Sequence, residues 1–176
     1  MNRLLLIIVA FFCIPALTQT RPANQIALDA LDEKIRGDFQ ETLPGWKHER
    51  VEPIVKTEKV LIQFWSFANK KVKVSILPHE SVEKAHEVFK NFDRYSPDKQ
   101  ALNNLGEEAI GWGYGSANVT FRRGKFTVYI SGGVDISAEP DARSLSEEQR
   151  VEREKSEAAR LNREFARHID RVLDAP

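Results

Sequence analysis

The chain has 176 residues, of which 41% are apolar and 30% are charged, the balance of an ordinary globular protein. Its 26 basic and 26 acidic residues cancel, so it lacks the excess of lysine and arginine that marks a nucleic-acid-binding protein. A single cysteine excludes a scaffold of disulfides within the chain. We therefore expect a domain held together by its apolar core, with no nucleic-acid partner.

The first 20 residues have the three parts of a secretory signal peptide. Arg3 gives a positive start, residues 4–14 form an apolar run, and Pro15 begins an exit of small or polar residues. The run is about half of the roughly 20 apolar residues that a membrane-spanning helix needs. Cys13 lies inside the run behind Phe12, which favours its removal with the signal over lipid attachment. We expect a secreted or periplasmic protein with no membrane anchor after cleavage.

Residues 21–176 are expected to form a single domain. The apolar spacing of three and four predicts a first helix over residues 24–43, with a buried face of Leu28, Leu31, Ile35 and Phe39. A less regular strand is expected over residues 46–55. Two further strands are predicted more strongly, over residues 60–67 and 72–77, because both segments are rich in β-branched and aromatic residues.

A second helix is predicted over residues 80–95, and a long third helix over about residues 146–173. The third helix starts with Ser146 and Gln149 in the spacing of a capping box. Between the two helices, the alternation over residues 119–130 predicts a hairpin. The order α-β-β-β-α-β-β-β-α predicts the α+β class, with an antiparallel sheet of five to six strands and three helices.

The sequence also predicts the register of the two hairpins. A two-residue turn in the first would place Trp65 opposite Val74. A turn at Gly124 in the second would place Phe121 opposite Phe126. Both registers put apolar side chains on the same face of the sheet.

Aromatic residues alternate with glycines in the strand expected before the second hairpin. If this strand continues without a bulge, Trp112 and Tyr114 lie on the outer face of the sheet, with Tyr129 beside them. Arg122 and Lys125 would then form a basic rim at the end of the hairpin. Such a surface would bind a glycan, a peptide or a partner protein. Alternatively, the glycines mark a bulge that turns Trp112 inward, or a helix covers this face.

A second candidate site lies along the second helix. His79, Glu83 and His86 share one stripe at the edge of its buried face. Two imidazoles and a carboxylate are ligand types of a zinc site, so these residues would centre a metal-binding protein or a hydrolase-type enzyme. Alternatively, they are polar residues that flank the buried face.

No nucleophile with an adjacent base is recognisable in the sequence. Ser116 lacks the surroundings of a nucleophile elbow, and His48 and His168 belong to no local motif. Catalytic groups assemble from distant parts of a fold, so catalysis stays open. We nevertheless favour an exported, non-catalytic binding or interaction module that uses no cofactor. Its partner would be an unidentified ligand or protein of the cell envelope or the extracellular space.

Three segments carry a resemblance to a known group of proteins. They are residues 85–92, the run Leu105-Gly106-Glu107-Glu108-Ala109, and the strand that ends at Gly124. Together they resemble the helix, the "LGDEA"-like segment and the "FRKGN"-like strand end of uncharacterised secreted bacterial α+β domains and lipoproteins. Glu107 stands where Asp is usual, and Lys125 where Asn is common. The resemblance covers about residues 80–132. It implies a secreted α+β domain and, because the group has no assigned function, no site residues.

Overall fold

The computed structural model describes residues 23–53, 59–137 and 139–175, with the side chains of the first helix described from residue 27. The expected signal peptide lies outside these residues, as does the end of the first predicted strand. The described chain forms, in order, α1 (Ala23–Thr42), β1 (Lys47–Val51), β2 (Leu61–Phe67), β3 (Lys70–Pro78), α2 (Val82–Tyr95), β4 (Gln100–Ala101), β5 (Glu108–Trp112), β6 (Asn118–Arg123), β7 (Phe126–Val134) and α3 (Glu147–Asp174). Short 3-10 helices cover Tyr114–Ser116 and Pro140–Ser144.

The seven strands in the described residues form one antiparallel sheet, in the order β1-β2-β3-β7-β6-β5-β4. The α+β class and the three helices are confirmed. The predicted number of five to six strands is too low. Strand β4 explains part of the difference, because its two residues are too few to show an alternating pattern.

The helices cover both faces of the sheet unequally. Helices α1 and α3 pack against each other, and α3 lies on β6 and β7. In the core on this side, the ring of Phe39 lies 4.6 Å from Trp65 and 4.8 Å from Phe165, measured between centroids. Helix α2 packs against β6 and β7 from the other side, where Phe92 contacts Tyr129. On β2, beyond the strands that α2 covers, Phe64 is 40% exposed.

The predicted register of the first hairpin is wrong by two residues. Trp65 lies opposite Val72, and Val74 lies opposite Gln63. The turn begins one residue earlier than predicted, at Ala68, whose φ of +50° is the left-handed conformation that such a turn needs. Alanine gives no sequence signal for this conformation, because glycine and asparagine are the residues that usually adopt it.

The second hairpin is shifted by the same amount. Phe121 lies opposite Val128, and Phe126 lies opposite Arg123, because the turn is formed by Gly124 and the residue after it. Gly124 has the left-handed φ of +52° that was expected of it. A shift of two residues keeps every side chain on its predicted face, so the predicted buried faces of both hairpins are right.

Helix α3 begins as predicted. The backbone N–H of Ser146 donates to Oε1 of Gln149 at 2.9 Å, and the N–H of Gln149 donates to Oγ of Ser146 at 3.2 Å. This reciprocal pair is the expected capping box. The buried face of the helix includes five positions spaced by three and four: Ala158, Leu161, Phe165, Ile169 and Val172.

Candidate functional site

A cavity of about 780 Å³ lies at one end of the sheet, where β3 and β7 meet α1 and the last turn of α3. This volume is within the range of small-molecule binding sites. We call it the lysine cavity. It is lined by Ala27, Leu28, Leu31, Lys34, Lys59, Pro78, His79, Glu80, Lys84, Lys125, Phe126, Val172, Leu173 and Ala175.

One wall of the lysine cavity is formed by the β6–β7 turn and the segment that precedes α2. Pro78, the last residue of β3, lies opposite Phe126, the first residue of β7. The backbone N–H of His79 donates to the carbonyl oxygen of Lys125 at 2.8 Å. This bond continues the β3–β7 pairing past the sheet and keeps His79 and Lys125 adjacent on the wall.

The apolar part of the lining comes from the ends of two buried helix faces. Leu28 is buried near the start of α1, and Leu31 packs against the core one turn later. From the last turn of α3, Val172 is buried and Leu173 packs against the core. Phe126 adds an aromatic ring from β7. The lining therefore has apolar surface next to the lysines. Small-molecule sites usually combine apolar surface with a few polar groups in this way.

Two of the four lysines in the lining have partners within the protein. Lys34 Nζ donates to the carbonyl oxygen of Ala175 at 3.2 Å, beside the C-terminus of α3. Since the last carbonyls of a helix lack acceptor partners inside the helix, Lys34 satisfies one of those near this end. Lys84 Nζ lies 2.8 Å from a carboxylate oxygen of Glu87, one turn along α2.

The other two lysines are free. Lys59 and Lys125 make no ion pair or side-chain hydrogen bond within the part of the chain that the structure describes. Among the described residues of the lining, Glu80 is the one acidic residue. Nε2 of His79 lies 2.9 Å from Oγ1 of Thr127, and burial, with a smaller effect of the Lys84 charge, lowers the pKa of His79. The lining is thus positively charged at neutral pH.

Trp112 and Tyr129 line a different depression, about 390 Å³ in volume, between the second half of α2 and the sheet. Nε1 of Trp112 donates to Oγ1 of Thr120 at 2.9 Å. The ring of Phe92 meets Trp112 and Tyr129 edge-on, at 5.2 and 4.9 Å between centroids. Burial raises the pKa of Tyr129. We call this depression the aromatic groove, lined by Val88, Asn91, Phe92, Tyr95, Ser96, Pro97, Trp112 and Tyr129.

The expectation that Tyr114 shares a face with Trp112 is wrong. Strand β5 ends at Trp112, and Gly113 has a left-handed φ of +74° that turns the chain away from the sheet. Tyr114 then lies in a 3-10 helix on the α3 side, where Lys155 Nζ is 3.4 Å from the centroid of its ring. This cation–π contact gives Tyr114 a structural partner, although the side chain is exposed.

Arg122 and Lys125 do not form a common rim. Arg122 is 8% exposed, and its Nε donates to Glu108 at 2.8 Å. Glu108 also contacts His86 at 2.7 Å and Lys90 at 3.0 Å. Burial opposes the charge of Glu108, but the hydrogen bonds from these three partners prevail and lower its pKa to about 2. Lys125 lies at the lysine cavity instead. Of the five residues predicted to bind a ligand, Trp112 and Tyr129 share the aromatic groove, whereas Tyr114, Arg122 and Lys125 lie elsewhere.

The three residues of the predicted metal site have separate partners. His79 contacts Thr127, and His86 contacts Glu108. Glu83 is exposed in the first turn of α2, where a hydrogen bond with Ser81 lowers its pKa. Within the described residues, no group of three or more His, Cys, Asp or Glu side chains is placed to hold a metal ion. The geometry gives the metal hypothesis no support.

Sequence reasoning missed most of the lysine cavity. Of the residues that line it, the sequence singled out His79 and Lys125 as candidate ligands, and in two unrelated sites. The lining comes from segments spread between residues 27 and 175, which the sheet and the two helices bring together. The available signal was that the buried face of α1 includes Leu28 near the start of the helix, and that of α3 reaches Val172 in its last turn.

Comparison of the chain with protein-family models, curated proteins and solved structures finds no match. None of the three helices in the described residues combines the length and the apolar character that crossing a bilayer requires. The function is therefore argued from the geometry of the site.

Proposed function

We propose that the chain is an exported, non-catalytic module that binds a small, partly apolar molecule in the lysine cavity. The observation that carries the proposal is the apolar lining beside two lysines that have no partner in the described chain. Burying apolar surface favours binding by about 25 cal/mol per Å² removed from water. The free lysines supply polar contacts that orient a ligand.

The polar groups of the lining favour binding over catalysis. The described lining offers lysines, one histidine and one glutamate, and it contains no serine, threonine or cysteine. Nε2 of His79, which a general base would use, already contacts Thr127. A hydroxyl or thiol nucleophile beside a free base is the usual arrangement for covalent catalysis.

Export is proposed from the N-terminal sequence, because residues 1–20 have the charge, the apolar run and the small-residue exit of a signal peptide. The ligand would then be a molecule of the cell envelope or the extracellular space. The described lining residues of the lysine cavity all lie beyond this segment, so removal of the signal leaves each of them in the chain.

The aromatic groove is a second candidate surface, for a peptide or a glycan. It is favoured by Tyr95, which lines the groove and is 78% exposed. Exposed aromatic rings are common at recognition surfaces. Trp112 weakens this candidate, since its indole N–H already has a partner in Thr120.

The test uses protein purified after expression of the full-length chain, titrated with the neutral fluorophore N-phenyl-1-naphthylamine. We expect its fluorescence to rise on binding and the Ala27→Trp variant to lose the signal, because the indole would fill the lysine cavity. Ala30→Trp is the matched control, an exposed alanine on the same helix that is outside the lining. Equal binding by Ala27→Trp and the wild type would refute the proposed site.

A further inference from the structure

The charges around the lysine cavity are unbalanced in one direction. Of its four lysines, Lys34 and Lys84 have partners in the protein, while Lys59 and Lys125 have none in the described residues. Glu80 is the single acidic residue among the lining residues that the structure describes. Helix α2 begins next to this wall, and the N-terminus of a helix adds a partial positive charge.

We propose that the ligand is a single-chain amphiphile with an anionic oxygen head group, a carboxylate or a phosphate, held by Lys59 and Lys125. This inference rests on the proposed function, because it names the ligand class of the same cavity. The apolar chain lies along the partly buried side chains of Leu31, Leu173 and Phe126.

The head group follows from the free lysines. The side chains of Lys59 and Lys125 are exposed, and two cations in the lining of one cavity repel each other, so an anion between them removes this repulsion. The backbone of Lys125 is held in place by the β6–β7 turn and by the hydrogen bond that its carbonyl oxygen accepts from the N–H of His79. The fold therefore fixes the backbone position from which the Lys125 side chain reaches the head group.

The chain follows from the apolar lining. A free inorganic anion would satisfy the lysines and leave the leucines and Phe126 uncovered. A neutral hydrocarbon would cover the apolar surface and leave the lysines unpaired. An amphiphilic anion does both, and apolar burial and charge pairing contribute separately to its affinity.

A second basic cleft, of about 430 Å³, differs from the lysine cavity in its apolar lining. It lies along α3 and is lined by Lys155, Arg160, Arg163 and Arg167, together with small residues and Glu152. It has cations and no large apolar side chain among its lining residues. The lysine cavity combines cations with large apolar side chains, and we therefore propose it as the site for the amphiphile.

The experiment measures displacement of bound N-phenyl-1-naphthylamine by probes with one twelve-carbon chain, each below its micelle concentration. The probes are dodecanoate, dodecyl phosphate, dodecanol and dodecyltrimethylammonium. We expect both anions to displace the fluorophore at concentrations about tenfold lower than dodecanol, a factor that corresponds to about 1.4 kcal/mol. The cation is expected to be weakest, and inorganic phosphate to displace nothing.

The double variant Lys59→Gln/Lys125→Gln is expected to lose the preference for the anions and to keep its affinity for dodecanol. Lys47→Gln/Lys71→Gln is the matched control. Lys47 on β1 and Lys71 on β3 lie on either side of Ser66 of β2, at the end of the sheet opposite to Pro78. The control changes the net charge equally and should bind the anions like the wild type.

Equal displacement by dodecanol and dodecanoate would overturn this inference and leave the proposed function standing. Loss of the preference in both double variants would also overturn it, because the effect would then be one of net charge. Co-sedimentation with phosphatidylglycerol vesicles that dodecanoate does not inhibit would assign the lysines to a membrane surface instead. If neither the fluorophore nor dodecanoate, measured by calorimetry, binds the wild type, the proposed function and this inference both fail.

Discussion

The lysine cavity and the aromatic groove lie at opposite ends of helix α2, and they differ in what their polar groups do. In the groove, the indole N–H of Trp112 is bonded to Thr120, and Phe92 holds the rings together. In the cavity, Lys59 and Lys125 face apolar surface without a partner in the described chain. The aromatic residues of the groove thus serve to attach helix α2 to the sheet. Unpaired polar groups beside apolar surface are the better sign of a missing ligand.

The largest effect is expected from Trp112→Ala in the groove. The variant removes the contact that joins α2 to β5 and β6, so the free energy of unfolding should fall by about 3 kcal/mol. Urea denaturation measures the loss. Binding of N-phenyl-1-naphthylamine to the folded variant should not change. An unchanged stability together with lost binding would reverse the comparison and make the groove the binding site.

A smaller loss is expected from Glu108→Gln, since the charges on the α2 side are paired inside the protein. Arg122 would keep its charge and lose the nearer of its two carboxylate partners, while the exposed Glu107 stays at 3.5 Å, so the free energy of unfolding at neutral pH should fall by about 2 kcal/mol. The folded pKa of Glu108 is about 2, against an ordinary value of 4.5. Its contribution is therefore complete above pH 4.5 and is lost as the pH falls through about 2.

The control for this variant is Glu107→Gln, at an exposed neighbour whose amide oxygen would still accept from the N–H of Gly124. Its free energy of unfolding should change by no more than about 0.5 kcal/mol. Equal losses in the two variants would show that the Glu108 cluster has no special role in stability.

The smallest effect is the pH response of His79, the histidine of the lysine cavity. Its folded pKa lies below the ordinary value of 6.5, so the unfolded chain takes up the proton first as the pH falls. The free energy of unfolding should therefore decrease below about pH 6.5 and continue to do so until the pH passes the folded pKa. His79→Gln retains a side-chain amide near Thr127 and should show a shallower decrease in urea titrations. His48, whose pKa is also lowered by burial, accounts for the remaining slope.

Local periodicity was enough to predict most of the fold. The faces of the helices and strands are correct because side-chain direction depends on a spacing of three to four residues or of two. The register of the hairpins could not be predicted in this way, since it depends on which residue of the turn adopts the left-handed conformation. Ala68 takes it in the first hairpin, where a sequence pattern favours other residues.

The candidate site could not be predicted in the same way. The prediction for Trp112 and Tyr114 needed an unbroken strand, and Gly113 ends it with a positive φ. The lysine cavity needed the positions of α1 and α3 relative to the end of β3, which no local pattern contains. Lys59 has no distinguishing neighbour in the sequence, and it becomes a candidate ligand when its surroundings in the fold are known.

The hydrogen bond from Lys34 to Ala175 joins the first described helix to the last residue described. The cavity therefore forms only after α1 and the last turn of α3 have come together. A chain that crosses a membrane unfolded would carry no cargo, and it would acquire its ligand in the compartment where it folds. There the ligand would act as a reversible clasp between α1 and the last turn of α3, in a protein whose single cysteine rules out an internal disulfide. At a hundredfold excess over its Kd, that clasp would add about 2.7 kcal/mol to the stability of the entire domain.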